Sequence, residues 1–291
     1  RSYDTLTNLR NLTVIGYTRF PSPLRSVMEK LPFFYKFLLI WVLILSTNGL
    51  LLWFLVSNLN EEIAFSSKEI AGVHYLLPLK EVVITLQQTR GLTNAYLNGD
   101  QGVADRISDL RQRIKAELTA ADAVNARYGK ALRVNEDYRT LAERITDLNT
   151  RALRMGAEMA FAEYTRLIED ILTLYVKVAD YSNLILDNGL DTYYLMDAIV
   201  NRIPRMIEEA GKARGLGAGI LAARAIDKAD YAKMMTFRQA LGINYQMVQA
   251  GLDTAYDYNP GLASKMAETV SGLEQRLFAY LKAIDQEILD E

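Results

Sequence analysis

Hydrophobic side chains recur at intervals of three and four residues along almost the whole chain from residue 58 onward. This spacing is typical of amphipathic helices that bury one face, and no alternating strand pattern competes with it. We therefore predict an all-α protein whose main part contains six helices. Their predicted ranges are 59–98, 101–128, 133–187, 190–224, 227–256 and 260–290. The third of them is long enough to run through two stacked bundles.

The clearest hydrophobic stripes lie on the second, third and last predicted helices. Their members are Val103, Ile107, Leu110, Ile114, Leu118, Ala121, Val124 and Tyr128; then Tyr138, Leu141, Ile145, Leu148, Ala152, Met155, Met159, Leu167, Ile171, Leu174, Val178 and Tyr181; and finally Leu262, Met266, Leu273, Leu277, Ile284 and Ile288. Gly129 is a predicted helix stop. Turns are predicted at Asn98-Gly99-Asp100 and Asp187-Asn188-Gly189, and Asn259-Pro260 is typical of a helix start.

One segment, Phe37 to Val56, differs from the rest because none of its residues is charged. As a helix it is long enough to cross roughly 30 Å of hydrocarbon. Trp41 and Trp53 lie toward its ends, where indole rings favour the membrane interface. A cleaved signal peptide fits poorly, because its apolar region spans only about 7–15 residues. We therefore predict one transmembrane helix.

The flanks of the apolar segment predict its orientation. Residues 1–36 carry more Arg and Lys than Asp and Glu, whereas the other flank opens with Glu61 and Glu62. Basic flanks stay cytoplasmic. We therefore predict a cytoplasmic segment at 1–36, a transmembrane helix at 37–57 and an extracytoplasmic domain at 58–291.

The main domain contains an internal repeat at an offset of 124 residues. TRGLTNAYL, Thr89 to Leu97, matches ARGLGAGIL, Ala213 to Leu221. The seam positions Leu79, Val83, Leu86, Arg90, Thr93 and Leu97 correspond to Ile203, Ile207, Ala210, Arg214, Gly217 and Leu221. Two copies of one helical unit predict two stacked four-helix bundles.

Arg90 and Arg214 both fall on the predicted apolar stripe of their helices. Burying an arginine costs several kcal/mol unless an anion meets it, and its planar fork suits carboxylates and oxyanions. One interpretation is that both arginines hold a small anionic ligand, with Thr93 and Asn94 as possible secondary contacts. The other is that they pair with helix carboxylates or extend to the edge of the bundle. The sequence leaves both open.

The segment Ser182 to Asp197 is the second candidate ligand region. Asp187 and Asp191 suit a turn and a helix N-cap. Tyr193 and Tyr194 begin the helix of the second repeat copy, where they either pack or contact the ligand as secondary residues.

Composition excludes several function classes. The single histidine, His74, has Ala71 three residues before it, so the Glu-x-x-His element of a di-iron bundle is missing. No glycine-rich phosphate loop is present, and the chain has no Cys for thiolate chemistry. A net charge of −2 gives no case for nucleic-acid binding. We predict no enzyme activity in this region, no cofactor, no metal site and a surface position for His74.

Three segments resemble parts of known bacterial receptors. LQQTRGLTNAYLNGD, residues 86–100, resembles the LQxERG motif at the start of nitrate/nitrite-sensing ectodomains, and EEAGKARGLGAGIL, residues 208–221, resembles their GxERA-like element. Thr89 and Ala213 stand where the motif has glutamate. NLILDNGLDTYYLMD, residues 183–197, resembles a segment of sensor domains in chemoreceptors, sensor kinases and diguanylate cyclases. The helical bimodular chemoreceptor ectodomain, which binds organic acids, is similar in architecture.

This resemblance covers about residues 60–290 and implies two stacked four-helix bundles, a homodimer and control of a cytoplasmic output module. The function implied is sensing of nitrate, nitrite or a short organic acid by a bacterial transmembrane signalling receptor, through Arg90 and Arg214. The resemblance also implies a location in the bacterial inner membrane, with residues 58–291 periplasmic or extracellular. A receptor must return to the cytoplasm to signal, so we expect a second crossing after residue 291, through which cytoplasmic signalling partners would be reached. The alternative is a membrane-anchored helical scaffold that binds proteins through helix faces. That alternative predicts internally satisfied arginines and no ligand pocket.

Overall fold

The computed structural model describes residues 29–186 and 189–289, and this part of the chain is helical without any strand. The α-helices are α1 (Phe33–Leu97), α2 (Ala104–Val124), α3 (Asn135–Arg151), α4 (Ala157–Tyr181), α5 (Leu190–Asp197), α6 (Ile203–Ala223), α7 (Lys228–Tyr258) and α8 (Pro260–Ile284). A π-helical segment, Ala198–Arg202, joins α5 to α6, and others follow α2 (Asn125–Gly129) and α8 (Asp285–Leu289). The predicted all-α fold class is confirmed.

The chain divides into two compact units, residues 1–63 and 64–291. The described part of the first unit contains the apolar stretch of α1, which is long and apolar enough to cross a membrane, with none of that stretch buried. Ser46, Thr47 and Asn48 interrupt it, but their side chains donate hydrogen bonds to the carbonyls of Leu43 and Ile44 at 2.8–3.0 Å. Because these donors are satisfied within the helix, the cost of placing the side chains in an apolar environment is reduced.

In the second unit, α2, α3, α4 and the α1 segment from Tyr75 to Leu86 enclose the largest hydrophobic core. The predicted stripes supply many of its buried side chains: Ile114, Leu118 and Ala121 on α2, Tyr138, Leu141, Ile145 and Leu148 on α3, and Leu167, Ile171, Leu174 and Val178 on α4. Ile107 on α2 is also buried. Met159 and Tyr181 are exceptions and are exposed. The hydroxyl of buried Tyr75 donates to Asn125 Oδ1 at 2.8 Å. The stripes on these helices are therefore confirmed.

The prediction of one helix at 133–187 is wrong. The chain leaves α3 through a 3-10 turn, Ala152–Arg154, and Met155 is extended before Gly156 caps α4. Hydrophobic spacing continues across this break, so periodicity alone did not reveal it. Gly156 favours a helix end at this position, because glycine in a helix interior costs about 1 kcal/mol relative to alanine. The reversal of the chain at this point lets α4 pack against α3 and α1. The long element is instead α1, which spans 65 residues.

The helices α5 to α8 bury three smaller clusters of apolar side chains. Their buried members are Met206, Leu241, Tyr245 and Leu277; Ala213, Ile220, Met234 and Ile284; and Ala198, Val248 and Leu252. The predicted stripe on α8 is confirmed, since all six of its residues are buried or half-buried. Asn259 caps α8 and Pro260 is its first residue, as predicted. The predicted turn at Asn98-Gly99-Asp100 is also present, with Gly99 at φ +116°. Asp187 and Asn188 lie outside the described residues.

The equivalent stripe predicted for α6 is only partly correct. Ile207, Arg214 and Leu221 are exposed, whereas Glu208 is buried. The reason is that α6 has two packed faces. Gly211, Gly215 and Gly219 approach α1 and α4, while Met206, Ala213 and Ile220 pack toward α7 and α8. The division into two stacked four-helix bundles, inferred from the repeat, is still a prediction.

Candidate functional site

The side chain of Arg90 is the most deeply buried charge of the described chain. It projects from the apolar stripe of α1 and is 0% exposed, and Glu208 of α6 is 2% exposed. Arg90 Nη1 lies 2.6 Å from Glu208 Oε1, and Arg90 Nη2 lies 3.3 Å from Oε2. This two-pronged contact is the strong form of an arginine–carboxylate pair, because both hydrogen bonds are charge-assisted.

Three neighbouring side chains complete the surroundings of this ion pair. Gln87 Nε2 donates to Glu208 Oε2 at 2.8 Å, and Arg90 Nη1 also donates to Thr165 Oγ1 of α4 at 2.9 Å. The Phe161 ring of α4 lies under the guanidinium, with 5.1 Å from Arg90 Cζ to the ring centroid. Burial raises the pKa of the Glu208 carboxyl, and the Arg90 charge and the Gln87 hydrogen bond oppose that rise. The Arg90 cluster thus joins α1, α4 and α6.

A face of glycines on α6 brings the helices close enough for this contact. Gly211, Gly215 and Gly219 are spaced four residues apart and all point toward α1 or α4. A Cβ atom at Gly211 would lie 3.0 Å from Arg90 Nη2, and one at Gly215 would lie 2.9 Å from a Phe161 ring carbon. Larger residues would therefore push α6 away from the guanidinium.

Asn94, a predicted secondary ligand contact, has a structural partner. It is 7% exposed, and its Nδ2 donates to the Gly215 carbonyl at 2.8 Å. Asn98 Nδ2 donates in turn to Asn94 Oδ1 at 3.1 Å. Asn94 is thus a second polar link between α1 and α6.

Arg214 differs from Arg90, because it is exposed and lines a groove between α1, α2 and α6. The groove has a volume of about 520 Å³ and is lined by Gln88, Gly91, Leu92, Arg106, Asp109, Leu110, Arg113, Arg214 and Ala218. Arg113 is paired with Glu117 at 2.7 Å and with Glu81 at 3.3 Å. No ion pair joins Arg106 or Arg214 to a carboxylate within the described ranges. The groove therefore has an excess of positive charge.

The two predicted tyrosines lie away from both arginines. Tyr193 and Tyr194 on α5 contact each other edge to face, with ring centroids 5.2 Å apart, and Tyr194 approaches Gly251 of α7. His74 is exposed and stacks on Tyr128, which confirms its predicted surface position. Neither tyrosine lines the groove of Arg214.

Sequence reasoning missed the partners of Arg90. Glu208 and Thr165 are separated from it by 118 and 75 residues, so no local spacing connects them. One signal was available, because Glu208 follows a predicted stripe position directly and glycine recurs every fourth residue from Gly211. Such a glycine row on a helix indicates close helix packing rather than an apolar seam.

Comparison with known proteins adds to this geometry. The chain matches the family model described as nitrate and nitrite sensing over residues 81–288. That range is well over half of the chain and contains all of α2 to α8 together with the part of α1 that carries Arg90. No curated protein and no solved structure matches the chain. The chain therefore belongs to the nitrate and nitrite sensing (NIT) family.

Proposed function

We propose that this chain is the ligand-sensing domain of a bacterial transmembrane signalling receptor and that it binds nitrate or nitrite. The observation that carries the proposal is the family match over residues 81–288. An apolar helix stretch suited to a membrane supports the receptor assignment. Arginines without carboxylate partners on α2 and α6 support an anionic ligand, since a guanidinium fork suits planar oxyanions. Arg90 and Arg214, the ligand contacts predicted from the sequence, are the ligand contacts of this proposal.

Nitrate should stabilise the detergent-solubilised chain against heat. A ligand that binds only the folded form adds about 2.7 kcal/mol at a hundredfold excess over Kd, which raises Tm by about 5–10 °C for a domain of this size. Thermal unfolding is followed by circular dichroism with sodium nitrate, nitrite, acetate, formate and chloride at equal ionic strength. Arg214→Ala should weaken the response, whereas Arg276→Ala, an exposed arginine on α8, should leave it unchanged. If neither nitrate nor nitrite raises Tm more than chloride does, the proposal is contradicted.

One observation favours the scaffold alternative. Glu208 and Thr165 satisfy the Nη1 group of Arg90 internally, as a scaffold without a ligand predicts. The unpaired Arg214 and its groove favour a receptor. The anion experiment separates the two, because a scaffold gives no specific response.

The receptor proposal places residues 58–291 outside the cytoplasmic membrane, in the periplasm or beyond it. Because the chain has no Cys, single cysteines can report this directly. A cysteine at Ser108, which is exposed on α2, should react with a membrane-impermeant maleimide in intact spheroplasts. A cysteine at Ser26, in the basic N-terminal segment, should react only after lysis. The opposite pattern of labelling contradicts the orientation.

We also propose that two copies associate through α1. Ile70, Val73 and Leu77 are 58%, 45% and 51% exposed, and their spacing of three and four residues forms an apolar stripe. Tethering in one membrane raises the effective concentration, so weak association suffices. Single cysteines at these positions should form disulfide-linked dimers in membranes under mild oxidation. A cysteine at Lys68, on the opposite side of the helix, should not form such dimers. Equal crosslinking at all four positions contradicts the interface.

A further inference from the structure

A cavity separate from the groove of Arg214 lies between α4, α6 and α7. Its volume is about 410 Å³, within the range of roughly 300–1,000 Å³ that is typical of small-molecule sites. Its lining side chains are polar or charged, with the single exception of Leu172 on α4. It shares no lining residue with the groove of Arg214. The cavity therefore suits a small polar molecule.

Two of the carboxylates that line this cavity already have partners. Glu208, which is almost fully buried, forms the ion pair with Arg90. Glu209 pairs with Lys212 at 2.6 Å, and these two side chains are 19% and 13% exposed. The α6 side of the cavity is thus built from largely buried charges that compensate one another, and it requires no charge from a ligand.

Glu169 of α4 and Arg205 of α6 line the same cavity but have no such partner. Both side chains are exposed, and no ion pair within the described ranges includes either of them. They carry opposite charges on different helices and do not meet each other in an ion pair. The cavity therefore has one uncompensated negative charge and one uncompensated positive charge at its rim.

Thr173 and Asn244 add uncharged polar groups to the cavity. The Thr173 hydroxyl donates to the Glu169 carbonyl at 3.0 Å, and Asn244 Nδ2 donates to the Ala240 carbonyl at 2.9 Å. These bonds leave the hydroxyl oxygen of Thr173 and the amide Oδ1 of Asn244 as acceptors. An ammonium group has three donors and no acceptor, so acceptors next to a carboxylate match it.

We propose that this cavity binds a zwitterion of the free α-amino acid class, with its ammonium group at Glu169 and its carboxylate at Arg205. Such a molecule satisfies both side chains at once, whereas a simple amine or a simple anion satisfies only one. The guanidinium suits the carboxylate because it donates two parallel hydrogen bonds. The scarcity of apolar lining favours an amino acid with a small or polar side chain. The site goes beyond the proposed function, because it assigns a second class of ligand to other residues than Arg90 and Arg214.

Titration calorimetry of the full chain in detergent tests this site with glycine, L-serine, L-asparagine and L-glutamine. We expect saturable binding of at least one of them. Arg205→Gln and Glu169→Gln should each weaken that binding at least about 10-fold, because each removes a charge-assisted hydrogen bond. Both residues are exposed, so the variants should fold. Arg276→Gln and Glu268→Gln, which remove exposed charges of α8, are the matched controls and should bind like the wild type.

Two fragments show whether both charges of the ligand are required. Acetate and methylamine each carry one of the two charges of glycine, and each should bind at least about 10-fold more weakly than the bound amino acid. Equal affinity for either fragment overturns the site, as does binding that Arg205→Gln or Glu169→Gln leaves unchanged. No saturable binding of any of the four amino acids also overturns it. Nitrate titrated into the same variants should behave as with the wild type, so failure of this site leaves the nitrate function to its own test.

Discussion

Replacing Arg90 by Met should lower the free energy of unfolding by about 3–5 kcal/mol, because it leaves the Glu208 carboxylate buried with only Gln87 as a donor. Removing one member of a buried pair costs far more than the pair itself contributes. Glu208→Met should cost a similar amount for the opposite reason, since the guanidinium then loses its counter-charge. The double variant Arg90→Met, Glu208→Met should be markedly more stable than the sum of the single changes predicts.

The measurement is urea unfolding of the detergent-solubilised chain, arranged as a double-mutant cycle. The single variant Arg90→Met should also depend on pH. The pKa of Glu208 is already raised by burial, and loss of Arg90 removes the charge that opposes this rise. A carboxyl that binds its proton more tightly in the folded state adds stability when the pH falls. Arg90→Met should therefore regain stability below neutral pH. Additive single changes and a flat pH profile would show that the pair is not coupled.

Replacing Gly215 by Val should destabilise the chain by about 1–3 kcal/mol or more, because the added side chain is forced against Phe161 and α1. A Cβ atom at this position would lie 2.9 Å from a Phe161 ring carbon and 3.5 Å from Gly91 Cα. The ring lies under the Arg90 guanidinium, so the substitution also disturbs the ion pair.

Gly242 on α7 provides the matched control for this substitution. It lies inside a helix, and an added Cβ would meet nothing within 4 Å. Gly242→Val should change the free energy of unfolding by no more than about 0.5 kcal/mol. Equal effects at Gly215 and Gly242 in urea unfolding would show that helix propensity, and not close packing, decides the cost.

The helix α1 shows how far hydrophobic spacing predicts the fold. Leu79, Val83, Leu86, Arg90 and Thr93 were predicted to share one face, and all of them are buried. This helix has one packed face on the largest core, so a single apolar stripe describes it. The same rule failed on α6, where Arg214 is exposed, because that helix packs on two sides and uses glycine for one of them.

The candidate site was predictable only in part. A buried arginine at position 90 followed from its place on the stripe, but the identity of its partner depended on how α6 lies against α1.

We propose that this member of the NIT family binds nitrate or nitrite. Isothermal titration of sodium nitrate into the purified full chain tests it most directly, with sodium chloride of equal ionic strength as the blank. We predict saturable binding for nitrate, nitrite or both that chloride does not reproduce. Heats that do not saturate, or that equal those of chloride for both anions, would contradict the account.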